Sequence, residues 1–167
     1  MTSIVRIFPK LTALVLLGVF PLASAQAAQI TIQANANIVK ALTFTSKQDL
    51  DFGTVMPAAT GTTTVSISMT GTITCPPTAT CTGLARPAIF NVQGTNKGIV
   101  QLTVVQSDLV NAASGAIIRF TPIAPATVTL TNSGQPGTDF NIGGSIAIPS
   151  TASGSYAGNI QVIADYQ

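Results

Sequence analysis

A chain of 167 residues carries one domain with a core of useful size. Seven Lys and Arg stand against five Asp, with no Glu, His or Trp, so polarity comes from Thr, Ser, Asn and Gln. This excludes the usual acid–base chemistry of enzymes, and nucleic-acid binding, which needs clustered Lys and Arg to neutralise phosphates. Thr, Val and Ile with 14 Gly and 10 Pro predict an all-β domain.

In chain order, residues 1–27 read as a secretory signal peptide. Arg6 and Lys10 form the basic start, "LTALVLLGVFPL" the apolar middle, and "ASAQA" offers small-residue cleavage sites. The apolar run falls short of the roughly 20 residues that cross a bilayer. No later stretch is longer, so no membrane span is expected in the mature chain. Cleavage would remove Arg6 and Lys10, leaving Lys40, Lys47, Arg86, Lys97 and Arg119 against Asp49, Asp51, Asp108, Asp139 and Asp165. A near-neutral, β-rich surface favours self-association.

Residues 28–38, "AQITIQANANI", alternate Ile30, Ile32, Ala34, Ala36 and Ile38 with Thr31, Gln33, Asn35 and Asn37. The stretch reads either as the first strand of the domain or as an extension that adds a strand to another subunit. The domain proper is then 39–167. Period-two runs follow in "ALTFTSKQDLDFGTV", "TTTVSISM", "RPAIFNVQG", "IVQLTVV", "GAIIRFTPI", "ATVTLTN" and "FNIGGSIAIP", separated by Gly-, Pro- and Asn-bearing turns. Nine or ten such strands without helical periodicity predict an antiparallel sandwich. Cys75 and Cys81 in "CPPTATC" are an even pair in an exported chain and predict a disulfide closing a small loop.

The chemical motifs are weak. "LDFG" at Leu50–Gly53 carries a triplet of protein kinases without their other motifs, and reads as a strand entering a turn with Phe52 in the core. No nucleophile elbow is present; "NSGQPG" and "TASGSYAG" are turn sequences. Only Asp49 and Asp51 lie close together, which is too few carboxylates for calcium. Tyr156 and Tyr166 suit core packing better than a sugar platform. The chain is therefore expected to be no enzyme and to need neither metal nor cofactor.

The last run, "GSYAGNIQVIADYQ", turns Tyr156, Ile160, Val162, Ala164 and Tyr166 to one side and Asn159, Gln161, Asp165 and Gln167 to the other, Ile163 being the apolar exception. A terminal strand with a core-facing tyrosine needs something to cover it.

That ending resembles the carboxy-terminal signature of bacterial chaperone-usher pilus subunits, a β-strand with a penultimate aromatic, here Tyr166, and a glycine fourteenth from the end, here Gly154. Together with "ANIVKALTFTSKQDLDFGTV" near the start, it also looks like secreted bacterial domains of unknown function similar to spore-coat U and pilin-like proteins. The resemblance implies an immunoglobulin-like sandwich lacking its last strand, with the groove covered first by a periplasmic chaperone. At an outer-membrane usher, the N-terminal extension of the next subunit would replace it. Gly154, Tyr156, Ile160, Val162, Ala164 and Tyr166 would then form the subunit- and chaperone-binding strand, and Ile30, Ile32, Ala34, Ala36 and Ile38 the donor.

Two departures mark a specialised or distant relative. The cysteines lie mid-domain, and Ala34 or Ala36 stands where donors usually hold glycine. The expectation is an exported fimbrial or surface-coat subunit polymerising by strand donation. A monomeric secreted binding module or adhesin with a complete sandwich is the alternative.

Overall fold

The computed structural model describes residues 27–167, and the expected signal peptide lies outside them except for Ala27. The described chain is all-β, and every strand pair is antiparallel. Residues 27–42 form no strand, and Ile30, Ile32 and Ile38 are exposed.

Twelve strands follow: β1 (Thr43–Gln48), β2 (Thr54–Met56), β3 (Thr62–Ile67), β4 (Ile73–Thr74), β5 (Thr80–Thr82), β6 (Ala88–Gln93), β7 (Ile99–Val104), β8 (Ser107–Val110), β9 (Ile117–Ile123), β10 (Thr127–Thr129), β11 (Thr138–Pro149) and β12 (Val162–Tyr166). The larger sheet runs β1-β6-β11-β3-β4, with β9 also on β11 and β8 on β9. A second sheet runs β10-β7-β12, and β2 pairs with β5.

Strand β11 joins two halves of the core. Thr138–Ile142 pair with β6, whereas Gly144–Pro149 pair with β3 and Gly143–Ile146 with β9. One buried cluster gathers Ala88 and Val92 of β6, Val100 and Leu102 of β7, Val128, Leu130, Phe140 and Ile142. The other gathers Val65, Ile118, Phe120, Ile146 and Ile148. Alternation dictates this: in β3, β7 and β9 every second residue faces inward, Val65 and Ile67, Val100 and Leu102, Ile118 and Phe120 among them, and the residues between are more exposed.

Sandwiching differs between the halves. The first cluster lies between β1-β6-β11 and β10-β7-β12. The second is overlaid by the partly buried Leu50, Phe52, Val55, Tyr156 and Ile160 in place of a second continuous sheet.

Candidate functional site

Over that second cluster lies a groove of about 900 Å³. Its floor is apolar, made by Ile118, Phe120, Ile146 and Ile148. One wall is the chain leaving β1, from Ser46 through Leu50 and Phe52 to Val55. The other is Ala152–Ile160, the segment leading into β12. The Phe52 ring meets Phe120 edge-on at 6.3 Å between centroids, so the wall packs directly on the floor.

Both walls continue into strands with one unused edge. Strand β1 pairs only with β6. On the other side the chain from Ala157 to Gln167 is bonded to Ile99–Val110: Ala157 exchanges backbone bonds with Val110, Val105 N–H donates to Gln161, β12 pairs with β7, and Gln167 N–H donates to Ile99. Its other edge has no backbone partner among the described residues. A trough with an apolar floor, flanked by unpaired strand edges, is a template for one more strand.

The terminal strand keeps the expected facing. Tyr156, Ile160, Val162, Ala164 and Tyr166 are half-buried against the two clusters, whereas Asn159, Gln161, Ile163, Asp165 and Gln167 are exposed. Regular pairing begins only at Val162, later than the alternation suggests. Between Ala157 and Gln161 the segment is bonded only at intervals, so the ladder is not continuous.

The two signature positions have separate physical causes. Gly154 adopts φ +92°, and a Cβ there would lie 2.6 Å from Nδ2 of Asn111, so only glycine fits without strain. Buried Asn111 donates to the Ser153 carbonyl at 2.9 Å, and its Oδ1 accepts from the Ala113 and Ser114 N–H groups. It ties the turn after β8 to the turn before the terminal strand.

Tyr166 packs its ring on the first cluster and places its hydroxyl in a network. The hydroxyl accepts from Thr95 N–H at 2.6 Å and donates to the Lys40 carbonyl at 2.8 Å. The ring fits because Gly94 and Gly98 flank it; a Cβ at Gly98 would come within 2.8 Å of Cε1. Lys40 is held twice more, its N–H donating to Thr95 Oγ1 at 2.7 Å and its Nζ to the Ser133 carbonyl at 2.7 Å. Thr95 does not stand out in the sequence, and Lys40 does so only as the residue that interrupts the alternating stripe ending at Ile38.

Other expectations find their places elsewhere. Cys75 and Cys81 are joined in a disulfide, outside the groove lining. Asp51 ends its run as a turn residue, pairing through its backbone with Arg86 and accepting Gly53 N–H on Oδ1. No cluster of three or more metal-ligating side chains occurs among the described residues. No helix among them is long and apolar enough to cross a membrane. Asp139, Lys47 and Asn91 form a polar cluster on β11, β1 and β6; the Lys47 ammonium, then Asn91, holds the Asp139 carboxyl below its usual range.

Fold and site together define an antiparallel β-sandwich domain with a groove of apolar floor whose walls run into strands with an unpaired edge. The chain belongs to the family described as Domain of unknown function (DUF4402), which matches residues 42–166. No curated protein and no solved structure matches it.

Proposed function

We propose that the protein is an exported, non-enzymatic structural subunit of a fimbria or surface coat, in which residues 28–38 of one copy fill the groove of the next. The observation that carries this reading is the groove itself: buried core residues form its floor, and both walls run into strands with an unpaired edge. Such a surface leaves backbone donors and acceptors unpaired that a complete sandwich would pair.

Residues 28–38 suit the role. They alternate, carry no strand, and span eleven residues, as does the free edge from Ala157 to Gln167. Burying Ile30, Ile32 and Ile38 would contribute about 1.5–3 kcal/mol each before the cost of ordering the strand. Ala34 and Ala36 would place small side chains at intermediate positions.

Another copy suits the role of donor better than the same chain. Folding back along β1 needs a tight reversal between Ile38 and Leu42, where the sequence is Val39, Lys40 and Ala41. Hairpin turns favour Gly, Asn or Asp at positive φ, and β-branched Ile38 and Val39 oppose it. Donation from copy to copy is a heterologous contact, which propagates into a filament. A periplasmic chaperone would cover the groove in transit, and at an outer-membrane usher the extension of the next subunit would replace it.

Deleting residues 28–38 tests the reading. The shortened protein is expected to stay folded and to form no filaments by electron microscopy. Filaments from the deletion variant would overturn strand donation.

A further inference from the structure

The strand that continues the groove wall beyond Ile160 and the base of the extension meet at one side chain. Tyr166 lies at the end of the terminal strand, and its hydroxyl bridges Thr95 N–H and the Lys40 carbonyl. Lys40 lies two residues beyond the proposed donor and two before the partly buried Leu42, where the chain joins the core.

We propose that Tyr166 is a positioning residue that couples occupancy of the groove to the set of the same subunit's own extension. This rests on the strand-donation reading and adds a direction to it. While the groove is empty, the terminal strand is bonded along one edge only, through β7 and Val110. A strand bonding to its free edge restrains it, and with it the Tyr166 ring between Gly94 and Gly98. The hydroxyl passes that restraint to Lys40. By linkage, a held Lys40 favours the occupied groove to the same degree. A subunit that has received a strand thus presents its own extension in a fixed set, and assembly proceeds in order along the chain of copies.

The hydroxyl, not the ring, carries the coupling. Tyr166→Phe keeps the packing on the first core cluster and loses both hydrogen bonds. Lys40 is also a trypsin site, while a peptide of residues 28–38 contains neither Lys nor Arg and survives the protease.

The experiment uses the full chain, following trypsin cleavage after Lys40 by mass spectrometry with and without that peptide, with peptide binding measured separately. In the wild type, saturating peptide is expected to slow this cleavage roughly fivefold, the scale of one net hydrogen bond. Tyr166→Phe is expected to bind peptide no more than about fivefold more weakly than wild type, the same factor by linkage, and to show no slowing. Equal slowing in both proteins would mean that the peptide merely shields Lys40, and would overturn the coupling. Binding without slowing in the wild type would overturn it while leaving strand donation intact, and no binding at all would remove both.

Should Tyr166→Phe fail to fold by near-ultraviolet circular dichroism, hydrogen exchange at the Thr95 N–H, which donates to the hydroxyl, reads the same restraint in the wild type. Slower exchange with peptide bound is the expected result, and unchanged exchange would overturn the coupling.

Discussion

Gly154 is the residue whose role the sequence marks without explaining. Its position fourteen from the end is visible in the chain, but the reason lies in Asn111, far away in sequence and close in space. Gly154→Ala should cost about 1–3 kcal/mol, combining a left-handed backbone with a clash on Nδ2, and thermal melting measures it. A variant melting with the wild type would show that the turn relaxes freely. Tyr166 is similar: alternation turns it inward, yet the partners of its hydroxyl are backbone groups that no side-chain pattern reveals. Asp139 sets a pH dependence. Its folded pKa is depressed, so its contribution is present above the ordinary carboxylate value and is lost as pH falls through the lower, folded one. Denaturant midpoints between about pH 2 and 6 should therefore fall less steeply with acid in Asp139→Asn than in wild type. Parallel curves would contradict this.

At the scale of elements, long alternating runs were legible and short irregular ones were not. The runs beginning at Thr62, Arg86, Ile99 and Gly115 contain β3, β6, β7 and β9, and in β3, β7 and β9 period-two burial decides them locally. Strands β4 and β5 hide in Thr-, Pro- and Gly-rich sequence that reads as turn, and β8 has only four residues, of which Asp108 and Val110 face out. Their pairing is set by tertiary contacts: β4 by β3, β8 by β9, and β5 by β2. The disulfide links the residue after β4 to the centre of β5. Replacing Cys75 and Cys81 by Ala should cost less than about 3 kcal/mol, since the closed loop is short. Melting would show a modest decrease with an unchanged far-ultraviolet spectrum; a chain unfolded at room temperature would show that the loop holds the sandwich together.

For the whole molecule, the sequence shows a sandwich and an alternating segment ahead of it, but not whether that segment pairs within its own chain. Periodicity reports which side chains face inward and is silent on which strand lies alongside. The groove answers part of that question physically: its floor belongs to the core, and its walls keep unused backbone edges. The account stands or falls on what fills it. The most direct measurement is the size and melting temperature of the chain from Ala28 to Gln167, beside a form beginning at Val39, each with and without a peptide of residues 28–38. Strand donation predicts that the shorter form is a monomer of low stability that the peptide raises by several degrees or more, and that the longer form assembles. A longer form that is a stable monomer, indifferent to the peptide, would contradict it and make the protein a self-contained binding module.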